Sequence, residues 1–553
     1  MTLANRQGIK KTSQRNIGLL HAIADTFVQA VLEFCEHPTL RYTWMRFLPD
    51  AADSFDGFWS QLITLIKTKL QSGPVLESLE RPSTFQLIGS LRRYSNDFLD
   101  EDGDLLFDDT RCISKAYQKA DLDRLEAYEL RYFTPDEILD IVEKDLGRGA
   151  ESRLMSEEMG LEWFERSAIL LLSITSRPES HLLRRLRSMP ILPLKEDKYA
   201  APDVGTVYFP VCAFTSLEIP NHLDLTVLAP GEPSGPYREK LFTSLGVISA
   251  TVDIVRESIF KKHSGRPGGF AITSWVRQTC FLYLTHHLVQ KPVKDDRIRL
   301  VDHNTYTSSL QRVDVYFPDE EEFGAYSLLS GENATSEGID LRFLHPYYQS
   351  LSPPKPNGAT KTWKEWLCNH VGVRQYVRLA LNTPQKHDLS KELYFVSKHY
   401  PEKLLGFLRY NWREGGKEIA DSSGLTKELQ QLWVPCKGGL SRQLSDTYMP
   451  FSDLQEICLR FMREEEKFPF LELDEPVKRG SYLQNWAFLV NTLGVGVDAD
   501  MPFYIQILAS ILEAVSEADH YIKDPERILD VYGAMYGIYA QSSDKESLKQ
   551  QLR

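Results

Sequence analysis

Leu192-Pro193-Leu194-Lys195, followed by Tyr199 and then by Val207-Tyr208-Phe209-Pro210, decides how this chain is read. Two short apolar runs flank charged turn residues and the second is closed by proline, a pattern that predicts strand, turn, strand. Proline ends the second strand because it has no amide with which to extend a ladder. The stretch recurs. Val315-Tyr316-Phe317-Pro318 repeats its end, and Trp433-Val434-Pro435-Cys436-Lys437 with Thr447-Tyr448-Met449-Pro450 repeats both ends. Tyr, then Phe or Met, then Pro is expected about 0.1 times by chance in such a composition, so three occurrences mark a divergent, domain-scale module.

An apolar-Gly-Val step follows each copy: Leu245-Gly246-Val247, Val371-Gly372-Val373 and Leu493-Gly494-Val495. The glycine supplies a positive φ or a close backbone approach. A helix is expected after each step, through Val252, Val255 and Ile259, then Tyr376, Val377 and Ala380, then Ile505, Leu508, Leu512 and Val515. In the second copy the strand candidates are 298–301 and 313–317, and Pro353-Pro354-Lys355-Pro356-Asn357-Gly358 forms a loop.

Upstream of Pro190 the chain reads as helical. Ile17, Leu20, Ala24, Phe27, Val31 and Phe34 alternate steps of three and four, the period of one buried helix face. The aromatics of 42–49 and Phe55, Phe58 and Trp59 read as core. Thr134-Pro135-Asp136-Glu137 is a helix start, with a capping hydroxyl, proline at the first helical position and a glutamate three residues on.

At 553 residues the chain exceeds one core, and its 42% hydrophobic, 25% charged composition is that of a globular protein. A net charge of -13 opposes polyphosphate, so no nucleic-acid partner is expected; the cluster Arg184-Arg185-Leu186-Arg187 reads as a solvated helix face. Seven scattered cysteines without a C-x-x-C pair fit a reducing compartment, and the expected location is intracellular, cytoplasmic or nuclear. No apolar run approaches the roughly 20 residues that span a bilayer, so no membrane partner is expected.

No catalytic, cofactor-binding or metal-binding residue is assigned. Asp100, Asp102 and Asp104 alternate like calcium ligands, but Leu105 stands where glycine is needed and Arg111 where a bidentate glutamate belongs, leaving a solvated turn. Gly265-Arg266-Pro267-Gly268-Gly269 and Lys437-Gly438-Gly439 match no phosphate loop. His286-His287 and the Cys368, His370 pair lack further clustered ligands for zinc. The acidic runs 319–322 and 464–466 read as exposed faces.

With the recurrence in view, the chain resembles the sacsin and NO VEIN group of very large proteins, most closely their fungal relatives. Residues 42–49 with Phe58-Trp59, then 190–210, the Leu245-Gly246-Val247 step, and 433–450 with Leu493-Gly494-Val495 carry the likeness. Such proteins bear a GHKL-type ATPase domain ahead of regions like this one. Here no E-x-x-x-N helix is followed by D-x-G-x-G, so the resemblance implies the part that follows the ATPase, with that domain supplied in cis or in trans. The fold expected is helix-rich α+β: a helical region over 1–180, three modules of strand-turn-strand plus helix over 181–290, 291–400 and 401–540, and a polar tail over 541–553. The expected function is a non-catalytic interaction or chaperone-associated scaffold without a cofactor, with protein partners that include unfolded polypeptide. The rival is a hydrolase or nuclease whose carboxylates gather from scattered positions.

Overall fold

Gln14–Glu36 (α1) buries Leu20, Ala24, Val31 and Cys35 on one face, as its spacing predicts, and packs on Gly57–Gln71 (α2). In this computed structural model the described residues are 3–5, 8–49, 57–80, 83–156, 158–175, 180–195, 198–264, 271–289, 298–304, 307–309, 314–383, 386–463, 466–517, 525–542 and 545. Phe55, the 265–269 glycine loop and nearly all of the 541–553 tail lie outside them. Helix is 53% and strand 12% of the chain, a helix-rich α+β protein. Backbone contacts divide it into a first unit, 1–219 with 223–258, and a second, 220–222 with 259–553.

Helix α1 corrects the reading that no segment approaches spanning length: its 23 residues are long and apolar enough to cross a bilayer. Around it Trp44, Met45 and Phe58 are buried, whereas Phe47 and Trp59 are exposed rather than core.

The first unit also corrects the helical reading of 1–180. Pro74–Glu77 pairs with Phe85–Leu87 as an antiparallel hairpin, and Arg92–Arg93 pairs in parallel with Arg131–Tyr132. Arg92 also pairs in parallel with Cys112, and Ser78 antiparallel with Ile113. Short polar strands such as Arg92-Arg93 have no apolar alternation to announce them. The helix start at Thr134 is as expected: Thr134 and Glu137 form a reciprocal capping box for Pro135–Leu146 (α3).

Around Tyr208 the expected pairing is corrected: Leu192–Leu194 forms a hairpin with Lys198–Ala200, within the stretch read as the turn, and Val207–Tyr208 pairs instead in parallel with Thr226–Val227. Tyr208 pairs on its other side with Ile248, and Leu194 pairs antiparallel with Leu228. Between these strands runs Pro236–Leu245 (α5, after Leu161–Thr175, α4), ended by Gly246 at φ 106°. A core from Phe98 to Val247 joins α3, α4 and α5 across residue 180.

In the second unit Arg299–Val301 pairs with Thr307–Ser309, and Val315–Tyr316 pairs in parallel with Arg342–Phe343. Tyr316 also pairs with Arg374, and Asp302 with Leu344. The helix expected through Tyr376, Val377 and Ala380 is not formed. The Val377 amide donates to the buried Asn411 Oδ1 at 2.8 Å, and Ala380–Thr383 instead pairs with Lys386–Leu389. Further on, Trp433–Cys436 and Leu440–Gln443 form a hairpin whose turn holds Gly438 and Gly439 at φ 78° and 79°. Tyr448 pairs in parallel with Phe470 and Gly496, and Cys436 antiparallel with Leu471. Met501–Glu517 (α7) and Pro525–Gln541 (α8) pack together after it, and Leu404–Ala420 (α6) lies in the same core, which runs from Tyr316 to Met535.

Candidate functional site

The sequence candidates for chemistry are held by structural partners. Asp100 Oδ1 accepts the amides of Asp102 and Asp104 at 3.1 and 2.7 Å, and Lys115 Nζ sits 2.9 Å from Asp104, so the aspartates close a turn. Arg185 reaches Asp136, Asp140 and Glu143 of α3, and Arg187 donates to the Ser244 carbonyl. Glu464 and Glu465 lie outside the described residues, and among the described residues of the acidic runs two differ from expectation. Glu466 is buried against Arg527, and half-buried Asp319 accepts from Lys364 Nζ at 2.7 Å and the Tyr410 hydroxyl at 3.1 Å. Burial, with the Asp319 carboxylate alongside, raises the Tyr410 phenol above its ordinary value.

His286 and His370, read separately in the sequence, are brought together with ring centroids 4.3 Å apart. They end a ladder in which Tyr348, Trp363, Trp366 and His370 stack face to face. A pocket of about 260 Å³ opens beside it, lined by Tyr283, His286, His287 and Trp366. Among the described residues no three His, Cys, Asp or Glu side chains are placed to hold a metal ion. Cys368 is half-buried, and burial pushes its thiol up to about 11, away from nucleophilic reactivity near neutrality.

A cleft of about 700 Å³ opens in the second unit, between residues 372–378 and α6. Helix Trp363–Trp366 widens into a π turn over Leu367–Val371 and is ended by Gly372 at φ 100°. The chain then turns into Arg374, whose amide and carbonyl both pair inward, with Val315 and Phe317. Arg374 Nε and Arg378 share the Asp314 carboxylate at 2.8 and 3.1 Å. Across the cleft stand Glu414 and Glu418, exposed and one helical turn apart. Gly415 between them lies close against Leu379, where a Cβ would sit only 3.0–3.1 Å away. The sequence reading missed this site, since its two walls lie some forty residues apart in the chain.

A third feature lies on the C-terminal helix pair. Leu529, Tyr532 and Tyr536 fall at steps of three and four on α8 and are 68%, 54% and 70% exposed, with Leu512 of α7 63% exposed. No family model, curated protein or solved structure matches this chain.

Proposed function

We propose that this protein is a non-catalytic scaffold that holds polypeptide, built from copies of one module, as the resemblance to the region after the ATPase of sacsin and NO VEIN proteins implies. The apolar stripe Leu529, Tyr532 and Tyr536 is the observation that carries the reading. A soluble protein gains nothing from leaving three large apolar side chains in line on one helix unless something covers them. An unfolded segment, rich in apolar side chains, is such a cover.

The modular part rests on four sets of pairings rather than three. The amides of Leu228, Leu344 and Leu471 donate to the carbonyls of Tyr208, Tyr316 and Tyr448 at 3.0, 2.8 and 2.9 Å, and the Ile113 amide donates to Arg92 at 3.2 Å. Two residues before Ile248, Arg374, Gly496 and Arg131 stand Gly246, Gly372, Gly494 and Glu129, all with positive φ. On this reading the module is a small mixed sheet, hairpin outermost, with a helix crossing from one side of the central strand to the other. The first copy lies at 74–132, within the region read from sequence as helical.

Isothermal calorimetry with Mg-ATP tests the non-catalytic half. The expected trace shows no binding heat and no turnover; turnover abolished by mutating one defined pocket would overturn it.

A further inference from the structure

From the outer edge of the hairpin at 433–443 we infer a binding site for an extended segment of polypeptide, which adds as a further strand beside Leu440–Gln443. This deepens the polypeptide-holding reading and rests on it, but it uses no residue of the α8 stripe.

Pro435 decides which backbone groups face outward. It stands opposite Ser441, and since proline has no amide theirs is a pair that exchanges no ladder hydrogen bonds. The Leu444 amide donates to the Leu432 carbonyl at 3.0 Å, two residues beyond the bonded pair of Val434 and Arg442. The amides of Ser441 and Gln443 therefore point away from Trp433–Cys436, roughly 6.8 Å apart along the strand. Neither makes a hydrogen bond among the described residues, and the Ser441 carbonyl accepts one only from the Arg442 guanidinium, at 3.3 Å. Donors at that spacing fit an extended backbone, which supplies affinity while its alternate side chains supply specificity.

Edge strands are ordinarily kept from pairing by a bulge, a proline or an outward charge. The hairpin at 74–87 has a shifted register, and the strand at 198–200 begins with an exposed Lys198. Leu440–Gln443 has none of these guards. Its four pairs with Trp433–Cys436 run in unbroken register, and its one charge, Arg442, is drawn onto Glu513 of α7. Beside the edge stands an unused apolar side chain. Trp433 lies opposite Gln443 on the outer face of the hairpin, 55% exposed and without a ring contact among the described residues. An added strand sets every second side chain on that face. A large apolar one opposite Gln443 would share the face with Trp433, so the occupant is an extended segment with apolar side chains at alternate positions.

Fluorescence polarisation on the full chain tests the assignment, with a fluorescein-labelled octapeptide in which phenylalanine alternates with serine, and the same peptide with two inner serines replaced by proline. The first should bind about tenfold more tightly, because proline has no amide to pair. Gln443→Pro removes one outward amide and no ladder bond, and should weaken the first peptide about tenfold. Trp433→Ser should weaken it as well. In the parent, hydrogen exchange resolved to single amides should show Ser441 and Gln443 protected when the octapeptide is added, which side-chain contact elsewhere would not produce. Equal affinity for the two peptides, or no added protection at either amide, would overturn the inference. A doubled mass in sedimentation with both amides already protected would also overturn it, by giving the edge to a second copy. Octapeptide binding at this edge in a chain that does not keep a denatured enzyme from aggregating would support the site and count against the scaffold reading alone. Suppressed aggregation without octapeptide binding would strike the site and leave that reading standing.

Discussion

Glu129 and Gly246 take the same left-handed backbone, at φ 76° and 106°, each two residues ahead of a residue paired in parallel with a central strand. Glycine is free to adopt that conformation, whereas a side chain there costs roughly 0.5–1 kcal/mol or more. Glu129→Gly is therefore expected to raise stability by about 0.5–1 kcal/mol. Gly246→Val and Gly494→Val should each lower it by about 1 kcal/mol or more. A Cβ on Gly246 meets nothing within 4 Å, so its loss would report backbone strain alone. Denaturant midpoints check all three, and a Glu129→Gly protein less stable than the parent would contradict the equivalence.

The Arg527 and Glu466 pair fastens α8 to the body of the second unit, with side chains only 12% and 4% exposed. Removing one member of a buried pair strands the other charge, at a cost of about 3–5 kcal/mol. Arg527→Met should therefore loosen α8, read as faster amide exchange over 525–541. Adding Glu466→Leu should restore most of the protection. Equal exchange in the single and double variants would show that the stranded charge is not the cause.

His263 gives the second unit a pH dependence. It stacks on Trp275 at 4.2 Å and accepts the Arg299 amide at Nδ1, and burial pushes its pKa from 6.5 down to about 4. Below pH 6.5 the unfolded chain takes up a proton that the folded chain refuses until about pH 4. Stability is thus lost progressively as pH falls through that window, by up to about 3 kcal/mol. In His263→Gln, unfolding free energies at pH 7 and pH 5 should differ less than in the parent. An unchanged difference would assign the acid sensitivity to other groups.

All seven cysteines are free, six of them buried, and burial holds their thiols at about 11 to 12. Thiol titration without reductant should count seven after denaturation and very few in the native protein, Cys368 reacting first. A count of five would mean a disulfide forms in solution.

What was legible in the sequence is what backbone geometry dictates. The proline after Tyr208, Tyr316 and Tyr448 closes a strand, and the glycines at 246, 372 and 494 take a conformation other residues resist. Both leave fixed residue types. The pairing around Arg92 escaped because Glu129 occupies the left-handed position and no proline closes Arg92-Arg93-Tyr94. Tyr376, Val377 and Ala380 have helical spacing over too short a span to separate a helix from a segment buried irregularly, and the Asn411 side chain settles it. The cleft depends on Gln375 approaching Glu414 through folding, which no local pattern encodes.

Light scattering during dilution of a chemically denatured test enzyme, with the full chain present at equal molar amount and no nucleotide, tests the scaffold reading most directly. The account predicts that aggregation is suppressed and that Leu529→Ser/Tyr536→Ser loses most of the protection. Undiminished scattering, or suppression that appears only while ATP is hydrolysed, would contradict it.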